Sequence, residues 1–411
     1  MLQVRRRVLV LVALALVNAG LFIVVGARTG RTTQGEGRGW DGVAYVEMLK
    51  DGLYVRASNE RLRPMIVLLD RPLFLLSDRS VAGALDAFAA MNVVYLAWLT
   101  VATVLLAGVY GASIGARVFL ALNLPLCNAT SKYFAYYPAL IDLGAYAVIM
   151  TAVLAIVRGR PVAGPVLAEL AALSREFGIF VALFGMLREI RLRRNVGRAV
   201  LMYAPAMVAS TAWRLLISRL PGDQLLRPGD FARNLQFWTD YNFVAFFLYY
   251  CATVFGGLSL LLVARAGSCL ALFRREPEWI VFGAGIFALS AAGNADIWRY
   301  LAYLLPLAVA LLGTCDAQWT GLRRVCVYSL AAVATLVTQR PFEAMTPDIY
   351  LTRWFPYYVI PSAAPDDLER FWSYWGWMML ATAVVAWMIA AFDSIALHDR
   401  PAVARRAVTG S

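Results

Sequence analysis

The chain has 411 residues, of which 61% are hydrophobic and 16% charged, with a formal net charge of +12 and a mean hydropathy of +0.64. A water-soluble domain does not carry this composition, and a transmembrane β-barrel would show short alternating segments that are absent here. Several apolar stretches reach the roughly 17–25 residues that a helix needs to cross a bilayer, so the expected fold class is all-α, a polytopic transmembrane helical bundle.

Met1–Arg7 carries "RRR" and Val8–Gly26 is apolar. The sequence "VVGARTG" is a poor cleavage site, so the first span reads as a retained anchor with its N-terminus in the cytoplasm. A polar first loop follows, at about 27–85, with parts amphipathic enough to lie along a membrane surface as short helices. The second span is expected at about Asp86–Val109, the third at about Arg117–Thr130, and the fourth after "SKYFAYYP", ending at Arg158–Arg160.

Pro161–Glu189 lies between two basic clusters, "RGR" and "REIRLRRNVGR". If both face the cytoplasm, the segment enters and returns. It is too short to cross about 30 Å twice at about 1.5 Å per residue. The expectation is two short half-helices with a tip at "SREFG" (Ser174–Gly178); the rival is one tilted span. Further spans are expected at about Ala199–Leu220, Tyr241–Ala264, Trp279–Gly293, Arg299–Gly313, Val325–Gln339 and Phe371–Phe392. With the hairpin, the arginines at 265, 274, 275, 323, 324, 405 and 406 all fall on one side. The bundle then holds about 11–13 spans or half-spans in a single integral-membrane domain over 1–400, with a polar tail at 401–411. The basic excess is spread over loops between spans, which fits topology and anionic lipid better than nucleic acid.

The five cysteines form no CxxC pair, and neither a disulfide framework nor a zinc site is implied. The one histidine, His398, is in the tail, so histidine is not expected to serve as a base across the membrane. The motifs that stand out carry carboxylates and arginines.

Three places carry such groups. The first loop holds "WDGVAYVEMLKDG", in which Asp41 follows Trp40 and precedes Tyr45 by four residues, one helical face. Asp41 reads equally as a helix N-cap or as part of an Asp-Gly turn. Arg61 and Arg63 follow in "RLRP". The second place is "LSREFGIF", where Arg175 and Glu176 interrupt an apolar stretch; an ionisable residue at membrane depth is costly and points to function. The third is "GNADIWRYLAYLLP", where Asp296 and Arg299 are spaced for a helical ion pair or for a phosphate ligand at Arg299. Asp142 and Arg214, in or near spans, make weaker cases, and "RWFPYY" (Arg353–Tyr358) reads as a groove cover or an interfacial aromatic belt. No P-loop, dinucleotide fingerprint or nucleophile elbow is present.

The loop motif after the first span, the "RLRP" stretch and the span pattern together resemble the GT-C superfamily of membrane glycosyltransferases, which use polyprenyl-phosphate sugar donors. The resemblance implies that Asp41 is the catalytic base, and that Arg61 or Arg63, together with Arg175 and Arg299, bind substrate phosphate. Trp40, Tyr45 and Glu176 would shape the sugar pocket. Members often carry an acidic pair in this loop. Here Asp51 is ten residues from Asp41, so no cofactor is expected and a divalent metal is left open. The implied activity is inverting sugar transfer from a polyprenyl-phosphate donor to a glycan, glycolipid or protein acceptor, at the outer face of a bacterial plasma membrane. A transporter or flippase of lipid-linked sugars, or a glycan polymerase or ligase, is the alternative.

Overall fold

A computed structural model describes residues 2–28, 30–54, 57–222, 237–239, 241–292, 297–319, 321–339, 341–342, 376–377, 379–389 and 391. All regular elements among them are helices. Five are long and apolar enough to cross a membrane: Val8–Ala27, Val81–Val109, Val196–Ser218, Arg299–Asp316 and Gly321–Gln339. A sixth crossing would be the pair Phe247–Thr253 and Gly257–Ala264, bent by 92°. With the five shorter apolar helices, the described residues hold eleven spans or half-spans, within the expected range.

The first helix, α1 (Leu2–Ala27), packs on α4 (Val81–Val109). Between them in sequence lie the two short first-loop helices, α2 (Trp40–Asp51) and α3 (Pro64–Leu75, opened by its proline). The start of α4 is capped by Ser80, which accepts from the Gly83 N–H at 3.0 Å. The expected third span is instead broken. Helix α5 (Ile114–Asn123) ends in a 3-10 turn, Leu124–Leu126, and is followed by the one-turn α6 (Asn128–Ser131). Pro125 lacks an N–H for the helical ladder, so the apolar run does not continue as one helix.

Helix α7 (Asp142–Val157) is followed by α8 (Ala163–Ser174), a 3-10 turn at Glu176–Gly178, and α9 (Ile179–Arg193). Gly164 at the start of α8 and Gly185 midway along α9 both lie against Tyr203 and Ile156. The two arms therefore run side by side and the chain reverses at Arg175–Gly178. The turn is tight: a Cβ on Gly178 would lie 2.0 Å from the Ala171 carbonyl oxygen. Twelve residues in α8 span only about 18 Å, short of a full crossing.

Helix α10 (Val196–Ser218) rises beside this hairpin, and its Trp213 Nε1–H donates to the Arg61 carbonyl at 2.8 Å. The chain continues through α11 (Tyr241–Thr253), α12 (Gly257–Ala264), α13 (Ala266–Arg275), α14 (Glu278–Ala292), α15 (Ile297–Leu301), α16 (Leu305–Asp316) and α17 (Gly321–Gln339). Part of the expected last span is described as the helix Met379–Ile389.

The bundle has two chemically different ends. At one, α2, the start of α7, the hairpin tip and α15 meet. At the other lie Arg158, the α9 arginines, Arg265, Arg274, Arg275, Arg323 and Arg324. There Arg188 binds Glu276 and Glu278 at 2.7 and 2.9 Å, and Arg324 binds Asp316 at 3.2 Å. This segregation is what the hairpin reading requires of the basic loops.

Candidate functional site

Helix α2 begins after Gly39, whose φ of +75° and ψ of −174° suit glycine; a Cβ there would strike the Tyr137 ring at 2.2 Å. The helix start is thereby pressed onto the bundle. Asp41 sits in the first helical turn and is not the N-cap, so its carboxylate is free of a capping role. It faces Arg299, whose Nη2 donates to Asp41 Oδ2 at 3.1 Å. One helical turn on, the Tyr45 hydroxyl accepts from Arg63 Nη1 at 3.1 Å.

Arg63 Nε donates to Glu176 Oε1 at 2.7 Å, joining the first loop to the hairpin tip. Arg175, on the same tip, reaches Asp142 Oδ1 at 3.1 Å and Glu176 Oε2 at 3.8 Å. Arg299 Nε lies 3.4 Å from Asp142 Oδ2. Asp142 also accepts from the Tyr303 hydroxyl at 2.7 Å. Asp142 is thus the hub that orients two arginines from opposite sides. Arg214 of α10 stands at the edge, 3.8 Å from Glu176.

Aromatic rings wall this network. The Tyr300 ring lies 5.6 Å from the Arg175 guanidinium and 5.5 Å from that of Arg299, within cation–π range. Phe177 stacks on Tyr303 with centroids 4.4 Å apart, and Tyr146 donates to the Arg299 carbonyl at 2.7 Å. These contacts lock the α15 backbone on which Arg299 is mounted.

Exposure is graded. The side chains of Arg175 and Asp142 are 0% and 1% exposed, while those of Asp41 and Glu176 are 29% and 22% exposed. The network therefore opens at Asp41 and Glu176 and is closed behind Arg175. Among the described residues four arginines meet three carboxylates, an excess of one positive charge, and no acceptor hydrogen-bonds any nitrogen of Arg175. Such an arrangement can accept an anion.

Burial alone would raise the Asp41 carboxyl. The charges of Arg299, Arg63 and Arg175 outweigh it and hold the group below the ordinary carboxylate range. Burial pushes the Tyr45 phenol up to about 12, so it remains a neutral hydroxyl.

The structure brings together Asp41, Tyr45, Arg63, Arg175, Glu176 and Arg299. It takes Arg61 elsewhere: its Nη1 donates to the Gly52 carbonyl at 2.5 Å, closing the end of α2. Trp40 opens α2, but its side chain lies outside the described ones, as do Asp296, His398 and Arg353–Tyr358. The expected Asp296–Arg299 pairing thus falls on undescribed residues, and the partners seen for Arg299 are Asp41 and Asp142. Asp142 was legible as an ionisable group opening a 16-residue apolar helix, yet its central place was not. Tyr300 and Tyr303 carried no distinguishing signal in a chain with 19 tyrosines.

Among the described residues no three His, Cys, Asp or Glu side chains form a group that could hold a metal. Each carboxylate of the network is instead turned to an arginine.

The protein-family models return no match to the sequence, and the curated proteins return none either. Among solved structures, the fold is similar to the oligosaccharyltransferase of Archaeoglobus fulgidus in its apo form, with a TM-score of 0.51 and 12% identity. The alignment covers 87% of this chain and 59% of that one, so the chain spans about three fifths of its length. Another structure of that protein, in complex with Zn and sulfate, aligns with a TM-score of 0.48 and 11% identity over 80% of this chain and 52% of that one. A third, in complex with an inhibitory peptide and a dolichol-phosphate, aligns with a TM-score of 0.49 and 11% identity over 88% and 56%. At this identity the likeness of the apo form shows the fold alone, a helical membrane bundle like that of this oligosaccharyltransferase.

Proposed function

We propose that this chain is a membrane glycosyltransferase that moves a sugar from a polyprenyl-phosphate donor to a hydroxyl-bearing glycan, glycolipid or protein acceptor. The observation that carries the reading is the convergence of Arg63, Arg175 and Arg299 on a network that opens at Asp41. The GT-C-type fold, shared with an oligosaccharyltransferase, supports the same class of reaction. An arginine cluster suits a phosphate because each guanidinium stays charged and presents a planar fork of donors.

In the proposed step the acceptor oxygen attacks the sugar carbon bonded to the donor phosphate. The carbon–oxygen bond to phosphate breaks, and its electron pair leaves on the polyprenyl phosphate, steadied by Arg63 and Arg299 with the Arg175 charge behind them. The acceptor proton passes to Asp41. One displacement inverts the sugar carbon. Pairing with Arg299 weakens Asp41 as a base at rest. A donor phosphate that draws Arg299 toward itself loosens that pair and restores basicity as the substrates assemble. The basic end of the bundle faces the cytoplasm in this reading, and the reaction takes place at the outer face of a bacterial plasma membrane.

The test is transfer in membranes supplied with radiolabelled polyprenyl-phosphate sugars, comparing wild type with Arg175→Gln at matched folded yield. Wild type transfers label to an acceptor, and Arg175→Gln loses about 10²–10³-fold, the loss typical of one charge-stabilising donor. Translocation of intact lipid-linked sugar by wild type, with no transfer from any donor, overturns the reading in favour of a flippase.

A further inference from the structure

At the end of the bundle away from Asp41, a cavity of about 820 Å³ opens between α1, α4 and α5. Its walls are aliphatic, including Leu11 and Leu14 of α1, Leu105 of α4 and Val118 of α5, and no acidic residue lines it. Its polar lining is two arginines, Arg117 and Arg158. Arg158 follows α7, whose first residue is Asp142, so about 24 Å of helix separates it from the Asp41 network. The groove is therefore no part of that network, and the inference is independent of the reaction proposed above.

The groove has a built upper limit. Asn18 of α1 donates to Thr100 Oγ1 at 3.0 Å and to the Ala121 carbonyl at 2.6 Å, tying α1 to α4 and α5 at one level. Leu14 and Leu11 lie one and two turns below that tie, where the space opens. At the mouth, Arg117 is held in place: its Nε donates to the Ala112 carbonyl at 2.9 Å, and its guanidinium lies against Gly108, where a Cβ would come within 3.1 Å. Its two terminal nitrogens are thereby presented in a fixed orientation. Arg158 is exposed, and neither arginine forms an ion pair among the described residues.

An aliphatic groove bounded by apolar helices and mouthed by two arginines that form no ion pair among the described residues is complementary to one kind of occupant. We infer that it binds an anionic glycerophospholipid, with an acyl chain along Leu11, Leu14 and Leu105 and the phosphate on Arg117 and Arg158. A zwitterionic lipid offers the same chain with no net charge, and a free phosphate offers the charge with no chain. The cavity volume falls within the roughly 300–1,000 Å³ typical of ligand pockets. Basic pockets between membrane helices hold lipid headgroups by this combination of charge and chain.

The experiment uses the full chain in mild detergent and native mass spectrometry, with phosphatidylglycerol and phosphatidylcholine of identical acyl chains added in turn. Wild type is expected to retain phosphatidylglycerol in preference to phosphatidylcholine. Arg158→Gln, at an exposed position with no side-chain partner among the described residues, reduces the preference about fivefold, and Arg117→Gln combined with Arg158→Gln abolishes it. Leu14→Trp, which fills the groove, lowers retention of both lipids. Equal retention of the two lipids by wild type overturns the inference, as does an unchanged preference in the double variant. Displacement of the lipid by inorganic phosphate at equal concentration marks a plain anion site and also overturns it. A wild-type dimer that Leu14→Trp converts to monomer would assign the groove to a second copy of the chain and overturn it likewise.

Discussion

Replacing Asp41 with asparagine removes one negative charge while keeping nearly the same shape. The Asp41–Arg299 contact is 3.1 Å long. At an effective dielectric constant of about 20, two unit charges at that distance attract by about 5 kcal/mol before desolvation is subtracted. Most of that is offset, because the carboxylate no longer has to leave water and the asparagine oxygen still accepts from Arg299. The expected net loss of stability is about 1–3 kcal/mol. The effect on chemistry is separate. Loss of a positioned base costs about 10²–10⁴-fold in kcat, or about 3–5 kcal/mol in the barrier. Arg299, relieved of one of its carboxylates, binds the donor phosphate at least as well, so the donor KM stays level or falls. The assay is steady-state transfer in membranes or detergent, with folded enzyme quantified by size-exclusion chromatography. An unchanged kcat refutes the reasoning and leaves Asp41 as a counter-ion for Arg299. A rise in KM that accounts for the whole loss also refutes it. Because Asp41 is held below the ordinary carboxylate range, it stays ionised in neutral and mildly acidic solution. Wild-type kcat/KM, which reports the free enzyme, is therefore expected to show no loss attributable to Asp41 between pH 8 and pH 5.

Asp142→Asn leaves Arg175 and Arg299, both buried, without their shared carboxylate; breaking such a pair costs about 3–5 kcal/mol, and both thermal midpoint and transfer should fall, the midpoint by more than for Asp41→Asn. Gly178→Ala places a methyl 2.0 Å from a backbone oxygen, so the hairpin tip must open at a cost of about 1–3 kcal/mol; an unchanged midpoint would show that the turn is not tight. Burial pushes the Asp70 carboxyl up to about 8 while the Tyr95 hydroxyl donates to it. Such a group is neutral when folded but ionises in the unfolded chain above about pH 4, so it costs stability progressively as pH rises toward 8. Asp70→Asn should therefore raise the thermal midpoint more at pH 8 than at pH 5, and an equal shift at both would contradict it.

What the sequence determined by itself follows from lengths and solvation. Apolar runs long enough to cross a bilayer are helices because every backbone group must be satisfied within the segment. The hairpin at Arg175–Gly178 was legible because the 27 residues between two basic clusters cannot cross twice. Arg175 and Glu176 stood out because charge in an apolar setting is costly unless partnered, whereas Asp41, Arg63 and Arg299 stood out by their local motifs and the family resemblance those carry. The sequence could not say who those partners are. Local spacing offered Asp296, three residues from Arg299 and outside the described residues, but gave no sign of Asp41, 258 residues away, or of Asp142. Arg61 and Arg63, two residues apart, diverge to a helix end and to the network. Partner choice depends on distances of 3–4 Å between elements far apart in sequence, and only tertiary packing sets them. The same holds for Asp142, whose place as the hub follows from the antiparallel return of α8 to the start of α7.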